Sequence, residues 1–143
     1  MTEQRLIEGV RVTPLRRILN EKGDVFHAMK ASEQDFEKFG EAYFTTVHKG
    51  TTKGWKQHHR MRLNLVVPIG EVRFDVRSAD GATAMSVVVG ESNYARLSID
   101  PGHWVAFTGQ GDFNLVLNLA SLEHDPDEAT DVPLETYALD RTQ

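Results

Sequence analysis

Apolar and polar residues alternate along much of the chain with a period of two, the spacing of strands that lay one face on a core. Glu71-Val72-Arg73-Phe74-Asp75-Val76-Arg77 is the cleanest stretch, with Val72, Phe74 and Val76 turned inward. The turn Ala79-Asp80-Gly81-Ala82 joins it to a returning strand over residues 85–90 as a hairpin. Val10-Arg11-Val12-Thr13-Pro14-Leu15 predicts a first short strand, and Pro14, which has no N–H to give a ladder, places it at a sheet edge. A turn at 20–24, where Gly23 can take a positive φ, leads to a second strand over 25–29. Residues 42–47 are strand by composition, and 96–100, 104–107 and 114–120 continue the pattern. Ser32-Glu33-Gln34-Asp35 has an N-cap serine with an acid three residues on. It predicts one short helix that buries Phe36 and Phe39 and stops at Gly40. About nine short strands, one short helix and a turn signal roughly every ten residues predict an all-β domain, a sandwich or barrel.

The densest cluster of titratable side chains lies between Gly50 and Arg62 and runs on into the strand-like Leu63-Asn64-Leu65-Val66-Val67. As one extended strand it puts Thr52, Gly54, Lys56, His58, Arg60, Arg62 and Asn64 on one face. Trp55, Gln57, His59, Met61, Leu63 and Leu65 then share the other. A row of cations along one side of a strand calls for an anion, for water, or for both.

The 143 residues suffice for one domain, with a core over 9–122 and an acidic C-terminal tail over 123–143. The net charge of −5 argues against nucleic acid as the main partner. With no cysteine there are no disulfides, thiolate metal sites or cysteine nucleophiles. Met1-Thr2-Glu3-Gln4-Arg5 lacks a basic region followed by an apolar run, and no stretch approaches the ~20 apolar residues of a spanning helix. The expectation is a soluble, cytoplasmic protein with no membrane partner.

Lys22-Gly23 in its turn, Phe26, Phe36 before Gly40-Glu41-Ala42-Tyr43-Phe44, Lys53-Gly54-Trp55, Gly70-Glu71-Val72, and Pro101-Gly102 before Phe107 follow one another in a telling order. That order resembles the dTDP-4-dehydrorhamnose 3,5-epimerase family. The resemblance runs from residue 9 to 128 and takes in Asp125-Pro126-Asp127-Glu128, similar to the family's Asp-Pro-x-x-Glu. The spacing from Lys53 to Gly70 is closer to the related sugar-nucleotide 3,4-ketoisomerases, whose strand has a His-x-His. The resemblance implies a double-stranded β-helix (cupin, jelly-roll) fold, no cofactor, and a nucleotide sugar as the small-molecule partner. It also implies a homodimer whose N-terminal strands contribute to the partner subunit's site.

The chemistry positions depart from the family pattern. The family's Arg-Gly-x-His becomes Lys53-Gly54-Trp55-Lys56, so a lysine stands where the catalytic-base histidine would be. The histidine after Pro-Gly falls at Val105, and the general-acid tyrosine of the epimerases falls at or near Asn118. His58 matches the second histidine of the ketoisomerase pattern. A metal-binding cupin would present ligands at the positions of Lys56, His58, Arg62 and Val105. Two of these are cations that repel a metal, and none is expected.

Lys56 and His58 are therefore the candidate catalytic residues. Proton removal next to a ketone needs a base and a cation or donor facing the enolate oxygen. Lys56, buried beside His58 and Arg62, would give up its proton more readily through desolvation and like charge, and His58 could serve instead. The alternative is that Lys56 and Arg62 balance acids such as Glu41 inside the barrel. For substrate binding, the resemblance implies nucleotide contacts at Lys22, Phe26 and Lys53, where Lys22 and Phe26 offer a cation for phosphate and a ring for a base. Glu41, Tyr43, Arg62, Trp104 and Asn118 offer hydroxyl, anion and stacking contacts. The leading expectation is an epimerase or isomerase acting on a 4-keto-6-deoxy nucleotide sugar, in polysaccharide or deoxysugar biosynthesis. The alternative is a non-catalytic cupin that holds a nucleotide sugar or another anionic saccharide.

Overall fold

Among residues 6–139, which the computed structural model describes, the alternating stretches form twelve strands. Met1–Arg5, read above for a targeting pattern, and residues 140–143 at the end of the acidic tail lie outside the described residues. The first four strands are β1 (Val10–Pro14), β2 (Arg17–Ile18), β3 (Val25–Phe26) and β4 (Glu41–Thr46). Then come β5 (Thr52–His58), β6 (Leu63–Ile69), β7 (Glu71–Arg77) and β8 (Ala84–Gly90). The last four are β9 (Ala95–Ile99), β10 (Trp104–Gly109), β11 (Leu115–Ala120) and β12 (Ala129–Asp131). Two five-stranded antiparallel sheets result, in the orders β1-β9-β6-β11-β4 and β12-β5-β10-β7-β8, with β2–β3 as a separate hairpin.

The inward residues of the two sheets interdigitate as in other sandwiches. Leu63, Leu65 and Val67 of β6 meet Val72, Phe74 and Val76 of β7 and Met85, Val87 and Val89 of β8, all buried. Phe74 stacks on Phe107 with centroids 5.6 Å apart. Fully burying a side chain of this size stabilises by about 1.5–3 kcal/mol, so this layer sets the sheet spacing. The fold is all-β, as the pattern predicts, and is the jelly roll that the resemblance implies. Among the described residues no helix is long and apolar enough to cross a membrane.

Three expectations are corrected. The helix over 32–39 does not form; the described residues hold only two single-turn 3₁₀ segments, Pro126–Glu128 and Leu134–Thr136. The acids that would have capped and filled that helix are drawn into long-range ion pairs. Glu33 binds Arg96, and Asp35 binds Arg11. Phe39, instead of being buried, is 68% exposed. The second strand stops at Phe26, because the His27 and Ala28 carbonyls accept from Tyr94 Oη and Arg96 Nη1 instead of a ladder. The stretch from Gly50 is not one strand but two, β5 and β6. It breaks at 59–62, where Glu128 Oε2 takes the N–H groups of Arg60 and Met61 at 3.1 and 3.2 Å.

Candidate active site

A cavity of about 350 Å³ opens between the two sheets. Its floor is hydrocarbon, from Leu63, Leu65, Phe74, Val105, Phe107 and Val116. Its polar side is supplied by Tyr43, Thr45, Lys53, Lys56, His58, Asn118 and Asp131. Charges set against such a floor interact more strongly than they would in water.

β5 carries three of these groups, through a bulge. Val105 of β10 pairs with Lys56 and Phe107 pairs with Lys53, so β5 has one more residue than its partner between the two pairs. The extra residue breaks the period of two and brings Lys53 and Lys56 to the same side. Gly54 lies within it at φ 145°, and a Cβ there would come 2.6 Å from Ala106 Cβ, so only glycine fits.

His58 closes β5. Its Nδ1–H donates to Oε1 of Glu128, an acid buried to 2% exposure. The carboxylate is satisfied on its other oxygen by the N–H groups of Arg60 and Met61. Burial pushes the Glu128 carboxyl up, but the bonds from His58 and from those two N–H groups outweigh it and hold the group below the ordinary glutamate range. An ionised carboxylate on Nδ1–H fixes the imidazole's tautomer and orientation and leaves the Nε2 lone pair for proton transfer. Glu128 belongs to the segment that pairs with β5, where Ala129 faces His58 and Asp131 faces Lys56. Lys56 Nζ lies 3.6 Å from Asp131 Oδ1.

On the opposite sheet, Asn118 of β11 is in register with Tyr43 of β4. Its Nδ2 donates to Tyr43 Oη at 3.0 Å, while its Oδ1 accepts from the N–H of Asn64 at 3.2 Å. A phenol therefore faces the cavity one strand away from Asn118, the position that matches the family's tyrosine. At the rim, Lys53 Nζ donates to Thr45 Oγ1 at 3.0 Å.

The other candidates fall elsewhere. Arg62 lies past the break and outside the cavity lining. It faces Asp100 at 3.4 Å and Glu37 at 3.9 Å, so it is not a neighbour of Lys56, and Lys56 itself, with its side chain 45% exposed, is not the buried amine expected. Trp104 points away from the cavity, since its neighbour Val105 points in, and packs with Trp55 and Tyr137 on the outer face of the sheet. Glu41 shares a side of β4 with Tyr43, but its Oε1 accepts the His124 N–H outside the cavity lining. It therefore does not balance Lys56 or Arg62. Lys22 and Phe26 sit on the β2–β3 hairpin, away from the cavity of their own chain, and the Phe26 ring is held between Tyr94 and Arg17. The cupin metal positions are filled by Lys56, His58 and Val105 at the cavity and by Arg62 outside it, a set with a single metal donor.

Glu128 and Asp131 were given no role by the sequence. The signal for Glu128 was the Asp-Pro-x-x-Glu motif itself, whose last acid is the one that reaches back to His58.

Neither a scan against protein-family models nor a search of curated proteins matches the chain. Solved structures do. A dTDP-sugar isomerase of Desulfovibrio desulfuricans superposes with a TM-score of 0.87 at 30% identity, over 91% of this chain and 87% of that one. A 3,4-ketoisomerase of Thermoanaerobacterium thermosaccharolyticum, in complex with TDP-4-keto-6-deoxyglucose, scores 0.76 at 18% identity, over 87% and 88%. A dTDP-6-deoxy-D-glucose-3,5-epimerase of Legionella pneumophila, in complex with dTDP-4-keto-L-rhamnose, scores 0.80 at 14%, over 92% and 76%; at these lower identities the likeness is one of fold. With nearly a third of its residues shared along nine-tenths of its length with the first of these, the chain belongs to the cupin-fold family of sugar-nucleotide isomerases and epimerases.

Proposed function

We propose that the protein isomerises a 4-keto-6-deoxy nucleotide sugar by moving a proton on a carbon next to the ketone. The observation that carries this is the His58–Glu128 pair, an imidazole on the cavity held by a buried carboxylate. His58 Nε2 takes the proton, the C–H electrons pass to the carbonyl oxygen as an enolate, and reprotonation gives the isomer or epimer. Lys56, steadied by Asp131, is the cation for the developing oxyanion, so of the two candidate bases the imidazole is preferred. Tyr43, held by Asn118, is the hydroxyl that gives or receives a proton on the other wall. Lys53 at the rim meets the diphosphate.

The protein works as a cytoplasmic homodimer in this reading, without nucleic acid and without a bound cofactor. The β2–β3 hairpin exposes Leu19 and Val25 at 75% and 53%, and the outer face of β4 exposes Phe44 at 63%. A second copy covering these residues would bring Lys22, at the hairpin turn, towards the partner subunit's nucleotide.

The test is incubation with TDP-4-keto-6-deoxyglucose in D₂O, followed by mass spectrometry of the recovered sugar nucleotide. Deuterium at carbon next to the ketone, lost in His58→Ala, supports the reading. Tight binding without incorporation would instead make the protein a nucleotide-sugar binder, the reading favoured by hydrocarbon at Val105 in the cavity.

A further inference from the structure

We infer that Tyr137, which lines no part of the cavity, is a positioning residue: by pinning residues 132–139 across the outer face of the second sheet it keeps Glu128 on His58 and Asp131 opposite Lys56. The kinetic part of this inference rests on the isomerase reading above; the structural part does not.

Both acids reach the site on one short piece of chain. β12 is three residues long and, among the described residues, lies at the sheet edge and pairs only with β5. An edge strand of that length holds its register poorly without support from what flanks it. Upstream it is tied by Glu128, whose carbonyl accepts the His59 N–H at 2.7 Å. Downstream the Val132 N–H donates to Trp55 O at 3.1 Å, and the chain then turns over the outer face of β5 and β10.

There Tyr137 is the common contact. Its ring meets Trp55 edge-on at 5.6 Å and Trp104 at 5.7 Å, and the Arg77 guanidinium lies 5.3 Å from its centroid. Trp55 Nε1 is shared between the carbonyls of Leu134 and Tyr137, at 3.0 and 3.2 Å, and Arg77 Nη2 donates to the Ala138 carbonyl at 2.8 Å. The turn between β7 and β8 makes room for the ring with Gly81, where a Cβ would approach it to 2.5 Å. Trp55 and Lys56 are neighbours on β5, one outward under this strap and the other inward on the cavity. Loosening the ring therefore frees the downstream half of the tether that sets β12 against β5.

The experiment compares Tyr137→Phe, which keeps the ring, with Tyr137→Ala, which removes it. In the substrate-free protein, ¹⁵N-histidine spectra report the Nδ1 proton of His58 in its bond to Glu128. That signal is expected to survive in Tyr137→Phe and to broaden or vanish in Tyr137→Ala. Both tryptophans of the chain lie in the cluster, so their emission should shift to longer wavelength in the same variant. Turnover of TDP-4-keto-6-deoxyglucose should fall in kcat by about 10- to 100-fold, with KM nearly constant, because acids are displaced and no substrate contact is lost. Should Tyr137→Ala not fold, Arg77→Met removes the grip on Ala138, together with the bond to the Gly81 carbonyl, while keeping the Tyr137 ring, and is expected to give the same changes in weaker form. An unchanged His58 signal in a folded Tyr137→Ala or Arg77→Met protein overturns the inference. So does a KM rise that accounts for the whole kinetic loss. If wild type turns over nothing while the His58 signal still depends on the ring, the isomerase reading fails and the positioning survives.

Discussion

Replacing Glu128 by glutamine keeps the shape of the side chain and removes its charge. The carboxylate accepts bonds from His58 Nδ1 and from the N–H groups of Arg60 and Met61. An amide has one acceptor end, so its NH₂ must face either the imidazole N–H or the two backbone N–H groups. Either one bond is lost outright, or the imidazole changes tautomer to accept from the NH₂ and carries its proton on Nε2, where it no longer serves as base; the bonds that remain become neutral. Bonds to a charged acceptor are worth ~1.5–3 kcal/mol against ~0.5–1.5 kcal/mol for neutral ones, and the neutral amide avoids desolvating a buried charge, so a net loss of about 2–4 kcal/mol is expected. Where the loss falls on the imidazole's orientation it appears as rate, and a fall of about 100-fold in kcat corresponds to ~2.7 kcal/mol. Solvent-deuterium incorporation measures the rate, and urea titration at several pH values measures the stability. Because the carboxyl is held below its ordinary value near 4.5, its contribution is full above that pH and is lost as pH falls through its value in the folded protein. The gap in stability between wild type and Glu128→Gln should therefore be wide at neutrality and close in acid. Exchange within twofold of wild type, or a gap that does not change with pH, would refute the coupling of Glu128 to His58.

Lys56→Met should lower kcat by roughly 10²–10³-fold with a small change in KM, as expected for loss of a cation acting on the oxyanion, and steady-state kinetics will show whether KM moves instead. Tyr43→Phe leaves Asn118 Nδ2 without its hydroxyl and should cost about 1 kcal/mol in denaturant titration, with a further loss of turnover. Phe74→Ala, at the fully buried centre of the sandwich, should cost about 3–5 kcal/mol by the same titration. Glu33→Gln weakens the partner of Arg96, which is only 1% exposed, and should cost about 1–3 kcal/mol after allowing for solvent around Glu33; a change under a few tenths would show that Arg96 is satisfied without it.

The strands were legible because period-two alternation is a local property, and residues 71–77 read correctly without knowledge of any other element. The helix at 32–39 misled for the converse reason. Its capping pattern was real, but Glu33 and Asp35 are claimed by Arg96 and Arg11 from distant strands, and long-range charge pairing outweighs a local propensity. Strand parity extended through 59–62 puts Arg62 in the cavity, but there the buried Glu128 carboxylate interrupts the ladder. Trp104 could have been excluded, since parity with the inward Val105 already turns it out. Glu128 was in view inside its motif. Its function depends on a fold-back of 70 residues to His58, which no local spacing announces.

The slip in β5 has an implication for how this cavity could change. Lys53 precedes the extra residue, while Lys56 and His58 follow it. A chain one residue shorter between Lys53 and Lys56 would turn the first lysine to the exterior and leave the other two groups paired as they are. How many positive charges greet a ligand at this mouth is thus written partly in an insertion, and a survey of substitutions alone would pass it by.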